Sequence, residues 1–244
     1  MTFPPIDPDN TALFLDVDGT LLEIVDNPAD VVADASLVAM LKSIETGLGG
    51  ALALVSGRTL EELDRIFSPA SFAVAGTHGS ELRLPDGRIE RSTSNRPPDT
   101  ERCRLQAFVE RNSGLLLEVK DTGMALHYRR APGLEDEARQ LILDVVDRLG
   151  PAFRLIDGKK VLEIVPCTHD KGAALRRFMR HPVYADRVPV FIGDDVTDED
   201  GFLVINELEG ISVKVGNVGE TAANYSMPDV GAVRQWLEQV LKSL

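Results

Sequence analysis

The chain has 244 residues, 43% hydrophobic and 5% aromatic, with 20 Gly and 14 Pro, a globular composition long enough for one large domain or two small ones. Its 26 Lys and Arg against 39 Asp and Glu leave a formal charge of −13, and no basic block offers a footprint for a polyanion, so neither nucleic acid nor anionic membrane is an expected partner. Two cysteines cannot build a disulfide framework, residues 1–10 lack a basic start and an apolar stretch, and no apolar run approaches the roughly 18 residues that span a bilayer; a reduced, cytoplasmic protein is expected.

After a Pro-rich lead, residues 12–17 form a short apolar run cut off by Asp18-Gly19-Thr20, as in a parallel strand buried on both faces. Leu37, Met40, Leu41 and Ile44 recur at helical spacing, with Gly47 placed to end the helix in a left-handed conformation. A second buried strand is expected over 51–55, with Ser56-Gly57-Arg58 as its end loop. Thr59 and Glu62 read as a capping box opening a helix over 60–67, and 72–75 as a third strand. This alternation predicts a doubly wound, Rossmann-like α/β sheet whose ligands sit beyond the carboxyl ends of its strands.

Near residue 80 the pattern changes. Residues 81–90 fold back through Pro85-Asp86-Gly87, and antiparallel pairing follows, so an inserted α+β domain is expected over 81–168. A helix over 101–111 leads into 115–120 and 124–129, two strands paired across Asp121-Thr122-Gly123. Ala138, Leu141, Ile142, Val145, Val146 and Leu149 line one helix face up to Gly150. Then 153–156 and 161–165 flank Asp157-Gly158, a hairpin signal. Two helices on one antiparallel sheet is the economical arrangement. From Asp170 the first rhythm returns: a helix over 171–179, a strand at 190–192, a loop to Asp198, a helix to about Asn206, a strand at 211–215 and a closing helix near 233–241. The expected core is therefore 1–80 with 169–244.

Asp16 and Asp18 stand two apart at the end of the first strand, and Asp194, Asp195 and Asp198 follow another core strand. Parallel strands end on one edge, so up to five carboxylates converge there. A pair of unit charges about 4 Å apart repels by roughly 4 kcal/mol at an effective dielectric near 20, and several such pairs would unfold a marginal protein. Protonation or a divalent ion relieves this. An all-oxygen donor set suits Mg²⁺, whereas His78, His127, His169 and His181 are too scattered for zinc. Ser56 can donate a hydrogen bond, Lys171 can neutralise charge, and Gly57 and Gly172 permit close backbone approach, which together suit a phosphoryl group. One carboxylate can then attack phosphorus while another protonates the departing oxygen. Cys103 and Cys167 read as buried fillers and Trp236 as helix packing.

Asp16-Val17-Asp18-Gly19-Thr20-Leu21, Ser56-Gly57-Arg58, Lys171-Gly172 and Gly193-Asp194-Asp195-x-x-Asp198 resemble the four ordered motifs of the haloacid dehalogenase-like phosphatases. Gly76-Thr77-His78-Gly79, Leu117-Glu118-Val119-Lys120, Leu126-His127-Tyr128-Arg129, Gly158-Lys159, Val161-Leu162-Glu163-Ile164 and Ser212-Val213-Lys214-Val215-Gly216 are similar to bacterial members of the trehalose-6-phosphate phosphatase family. The resemblance implies a Mg²⁺-dependent phosphatase with Asp16 as nucleophile and Asp18 as general acid and then base. It implies that Ser56 and Lys171 hold the phosphoryl group. Asp16, the main-chain carbonyl of Asp18, and Asp194 would bind Mg²⁺, with Asp195 and Asp198 behind them. The insertion would be a cap, with Glu118, Lys120, His127, Arg129, Lys159 and Glu163 meeting sugar hydroxyls, and Thr20, Arg58, His78 and Gly79 completing the substrate site. Val165 stands where family members often carry a basic residue. A monomer acting on a small-molecule sugar phosphate is expected; sucrose 6-phosphate, a hexose phosphate, or a non-catalytic sensor role are the alternatives.

Overall fold

A computed structural model describes residues 6–25, 27–91, 96–120, 122–167, 170–216 and 219–244. The expected turn residue Asp121 and the expected crossing at 168–169, including His169, lie outside them. The chain divides into two compact units, Met1–Arg91 with Asp170–Leu244, and Ser92–His169.

The first unit holds strands β1 (Thr11–Leu15), β2 (Leu52–Val55), β3 (Ala73–Gly76), β4 (Glu81–Arg83) and β5 (Ile89–Arg91), with helices α1 (Ala35–Gly47) and α2 (Leu60–Ile66) between them. The second unit interrupts it with α3 (Asp99–Arg111), β6 (Leu116–Val119), β7 (Met124–His127), α4 (Glu135–Leu149), β8 (Phe153–Gly158) and β9 (Val161–Pro166). The first unit resumes with α5 (Lys171–Met179), β10 (Val188–Gly193), α6 (Glu199–Glu207), β11 (Ile211–Val215), β12 (Tyr225–Met227) and α7 (Val230–Ser243).

In the first unit the sheet order is β12-β11-β10-β1-β2-β3-β4-β5, parallel from β12 to β3 and antiparallel at β4 and β5. All five residues of β1 are buried, which fits a strand covered on both faces. α1 packs with α7, and α5 with α6. Phe14, Phe178 and Tyr184 form a ring cluster with centroids 5.3–5.8 Å apart. The Tyr184 hydroxyl donates to the carbonyl of Leu52 at 3.2 Å, so its burial leaves no idle donor. Trp236 is half-buried against this core.

The expected boundary at residue 80 moves to 91, because β4 pairs with β3 through Val74–Arg83, Ala75–Leu82 and Gly76–Glu81 and so extends the core sheet instead of opening a new one. Gly47 is the last residue of α1, and the left-handed positions fall at Gly49 and Gly50 (φ 63° and 89°). Cys103 and Cys167 are exposed free thiols, not core fillers, since Cys103 faces outward from α3 and Cys167 follows β9 at a turn.

The second unit is a four-stranded antiparallel sheet of order β6-β7-β9-β8. Alternation along its strands separates two faces. Met124, Leu126, Leu162 and Ile164 join Leu105 of α3 and Ala138, Ile142 and Val145 of α4 in one apolar core. Ala125, paired with Glu118 on one side and Glu163 on the other, marks the opposite, polar face. The β8–β9 turn falls at Lys159–Lys160, two residues later than expected: Asp157 and Gly158 still pair with Leu162 and Val161, and Lys160 takes the positive φ of 67°.

Candidate active site

Asp16 follows β1, Ser56 follows β2, Asp194 follows β10, and Lys171 opens α5. β1 and β10 are neighbours from which the chain continues in opposite directions across the sheet, to β2 and to β11. Such a switch point leaves a crevice at the carboxyl ends of the strands. The Asp16 amide donates to the carbonyl of Ile192 at 2.9 Å, tying the two strand ends together.

Buried carboxylate oxygens of Asp16, Asp194 and Asp198 lie within 4.8 Å of one another. Lys171 Nζ donates to Asp16 Oδ1 at 2.8 Å and to Asp198 Oδ1 at 2.6 Å. The other Asp198 oxygen accepts the main-chain amides of Asp194 and Asp195, both at 2.9 Å. Asp198, fully buried, thus spends both oxygens as a bracket. Asp16 and Asp194 complete the cluster and can face a cation. Asp195 accepts from the Val196 amide at 2.8 Å and caps the turn that carries Asp198.

Burial pushes Asp16 well above the usual carboxylate range, and Asp198 and Asp194 add to it against the opposing charge of Lys171. Burial works to lower Lys171 as well, but Asp16 and Asp198 outweigh it and hold the ammonium charged far above neutrality. If all three carboxylates are ionised, as with a cation bound, one ammonium offsets one of three negative charges and leaves two (3 − 1). That excess and a hard, all-oxygen donor set fit a divalent ion of the Mg²⁺ class. Backbone shape agrees. Gly19 has φ 82°, and a Cβ there would lie 2.1 Å from Asp194 Oδ2, so only glycine lets the two motifs meet. Thr20 is wholly buried, and its Oγ1 has no hydrogen-bond partner among the described residues.

Ser56 is buried, and its Oγ accepts the Arg58 amide at 3.2 Å. The Arg58 guanidinium turns onto Asp18 through two hydrogen bonds, Nε to Oδ2 at 2.6 Å and Nη2 to Oδ1 at 2.7 Å. Residues 77–79 follow β3 with φ of 48°, 53° and 94°. Such a conformation costs on the order of 1–3 kcal/mol for each non-glycine residue and persists only where neighbours enforce it. Here Thr77 N donates to the Arg58 carbonyl at 2.8 Å and His78 N to the Ser56 carbonyl at 3.1 Å. The buried His78 ring lies against Gly57, where a Cβ would come within 2.7 Å of Nε2. Gly79 backs onto the carbonyl of Asp170, the cap of α5.

Two residues outside the expected set also shape the loop that carries Asp194 and Asp198. Lys214 Nζ donates to the Asp195 carbonyl at 3.0 Å and to Glu199 Oε1 at 3.2 Å, and Glu199 also accepts the Ala222 amide at 2.8 Å. A lysine inside the apolar strand Ile211–Val215 was the available signal.

In the second unit, Glu118, Lys120, His127 and Glu163 meet on the polar sheet face. His127 Nε2 and Glu118 Oε2 are 2.9 Å apart. Lys120 Nζ donates to Glu163 at 3.0 Å and lies 3.8 Å from Glu118. Burial acts to raise Glu118, but the His127 hydrogen bond and the Lys120 charge outweigh it and hold its carboxyl below the ordinary value. Arg129 lies apart at the hairpin, donating to the main-chain carbonyl of Lys159 at 3.1 Å, and Lys159 itself is exposed. Val165 is buried.

A family model described as Trehalose-phosphatase matches residues 14–230. The chain is 42% identical over 229 residues to a probable trehalose-phosphate phosphatase of Sinorhizobium fredii, an alignment covering 93% of this chain and 86% of that one. It is 40% identical over 243 residues to trehalose-6-phosphate phosphatase of Escherichia coli, covering 96% and 87%. The solved C-terminal domain of C. albicans trehalose-6-phosphate phosphatase shares the fold with a TM-score of 0.86 over 96% of this chain and 92% of that one, at 21% identity. With its motif residues gathered at one sheet edge and the family model running through both units, the chain belongs to the trehalose-phosphatase family.

Proposed function

We propose that this protein is a Mg²⁺-dependent phosphatase that hydrolyses trehalose 6-phosphate to trehalose and phosphate through an aspartyl-phosphate on Asp16. One observation carries the chemistry: a buried carboxylate at the end of a central strand, gripped through one oxygen by a buried lysine and grouped with two further carboxylates. Lys171 orients Asp16 Oδ1 and leaves Oδ2 to attack phosphorus. As the bond from phosphorus to the sugar oxygen breaks, Asp18 gives that oxygen its proton, because an alkoxide is a poor leaving group. Asp18 then takes a proton from water, whose oxygen bonds to phosphorus and releases Asp16 with phosphate as product. Ser56 donates to the phosphoryl oxygens and Lys171 offsets their charge.

Asp16, Asp194 and the main-chain carbonyl of Asp18 would hold the Mg²⁺, with Asp195 and Asp198 fixing the loop behind them. The ion supplies the positive charge that lets an anionic ester enter an acidic cleft. The inserted unit acts as the cap. Glu118, Lys120, His127 and Glu163 offer acceptors and donors suited to sugar hydroxyls; Arg129 and Lys159 are further candidates in that unit, and Thr20, His78 and Gly79 are candidates in the first unit. Two free cysteines support a reducing, cytoplasmic setting, and no helix among the described residues is long and apolar enough to cross a membrane. The protein is read as a monomer.

The experiment is phosphate release from a panel of sugar phosphates, with Mg²⁺ and with EDTA. Trehalose 6-phosphate is the preferred substrate and chelation stops the reaction. No release from trehalose 6-phosphate would retire the substrate, and undiminished release after chelation would retire the ion.

A further inference from the structure

Arg58 belongs to the loop expected to bind substrate, yet the structure commits its guanidinium to Asp18. Its Nε and Nη2 take both oxygens of that carboxylate, at 2.6 and 2.7 Å. The arginine side chain is 10% exposed and Asp18 33%, so the pair is shielded on the arginine side and reachable on the aspartate side. Glu62 Oε1 lies 3.7 Å from Nη1 and backs the guanidinium. The main chain of Arg58 is fixed as well, since its amide donates to Ser56 Oγ and its carbonyl accepts from Thr77 in the strained turn.

We propose that Arg58 is a positioning residue that docks the Asp18 carboxylate and acts on turnover through Asp18 rather than by holding the phosphate. This rests on the reading of Asp18 as acid and base given above. A planar fork bound to both oxygens fixes the rotation of a carboxylate, which a single ammonium contact does not. The docked carboxylate is set for the water step. In the sugar-release step one Asp18 oxygen must leave the fork to reach the departing oxygen, while the second contact keeps the group on its side of the crevice. The loop carrying Arg58 also carries Ser56, so phosphate contact and docking are built from one three-residue segment.

Arg58→Met and Arg58→Lys, each alone and combined with Asp18→Asn, are assayed for phosphate release from trehalose 6-phosphate with kcat and KM separated, and thermal unfolding is recorded for every variant. Arg58→Met lowers kcat by about 10–100-fold, short of the roughly 10²–10⁴-fold carried by a general acid–base, and changes KM by less than about twofold. Arg58→Lys, which retains one contact, recovers part of the loss. In the Asp18→Asn background neither change lowers kcat further. A loss that multiplies in that background, or one confined to KM, overturns the proposal. If Arg58→Met does not fold, Arg58→Lys alone carries the same comparison. Wild-type turnover in Asp18→Asn would instead overturn the acid–base reading itself.

Discussion

Lys171 is shared between two aspartates 182 positions apart in the chain, standing 2.6 Å from Asp198 and 2.8 Å from Asp16. Asp16, the proposed nucleophile, and Asp198, which brackets the 194–195 main chain, are therefore fastened to each other through one ammonium. Lys171→Met keeps the side-chain length and strands both carboxylates in the interior. Removing one partner of a buried pair costs about 3–5 kcal/mol. Urea unfolding at neutral pH is expected to show that loss, and turnover falls with it.

Asp16→Asn removes the charge of the proposed nucleophile with almost no change in shape. Phosphate release is expected to fall to background. Asp18→Asn, which leaves the nucleophile in place, slows turnover by about 10²–10⁴-fold. Retained wild-type release in Asp16→Asn would exclude a covalent route.

In the proposed reading Mg²⁺ offsets the excess negative charge around Asp16, so it is expected to raise stability as well as activity. At about 100 times the dissociation constant a ligand specific for the folded state adds about 2.7 kcal/mol. Differential scanning calorimetry is expected to show a higher Tm with Mg²⁺ than with EDTA. Asp194→Asn, which removes a carboxylate from the cluster, is expected to abolish the difference.

Glu118 illustrates a sign that mutation can reverse. Its lowered pKa means its ionised form is favoured by folding. The contribution is present above the ordinary value of 4.5 and is lost as pH falls through the lower folded value. Replacing Lys120 and His127 together, as Lys120→Met with His127→Phe, leaves burial as the dominant influence. Carbon-13 titration of the Glu118 carboxyl is then expected to move from below 4.5 to above it. An unchanged midpoint would show that the two partners do not set it.

The alternation of short apolar runs with helical periodicity made the central strands legible, because each run stops abruptly at a polar motif. Thr59 and Glu62 form the expected capping box, with both reciprocal hydrogen bonds present. Residues 81–91 misled, since an antiparallel hairpin looks the same in sequence whether it starts a new sheet or lengthens an old one, and only the Val74–Arg83 register distinguishes them. The three-residue β12 carries too little pattern to stand out. Thr77 and His78 hold positive φ without glycine, and no residue type announces that. The Arg58–Asp18 fork joins positions 40 apart, a pairing that depends on three-dimensional placement. The convergence of Asp16 and Asp194 was legible because parallel strand ends share an edge. The use of Asp198 as a bracket was not, because its partners are two main-chain amides and a lysine from another helix.

β1 is buried along its whole length between two parallel partners, β10 and β2. Asp16, which follows it, is consequently anchored to a segment whose amide protons are expected to exchange with solvent only when the entire sheet comes apart. Heating is therefore expected to take Asp16 and the core sheet out of native order at one temperature.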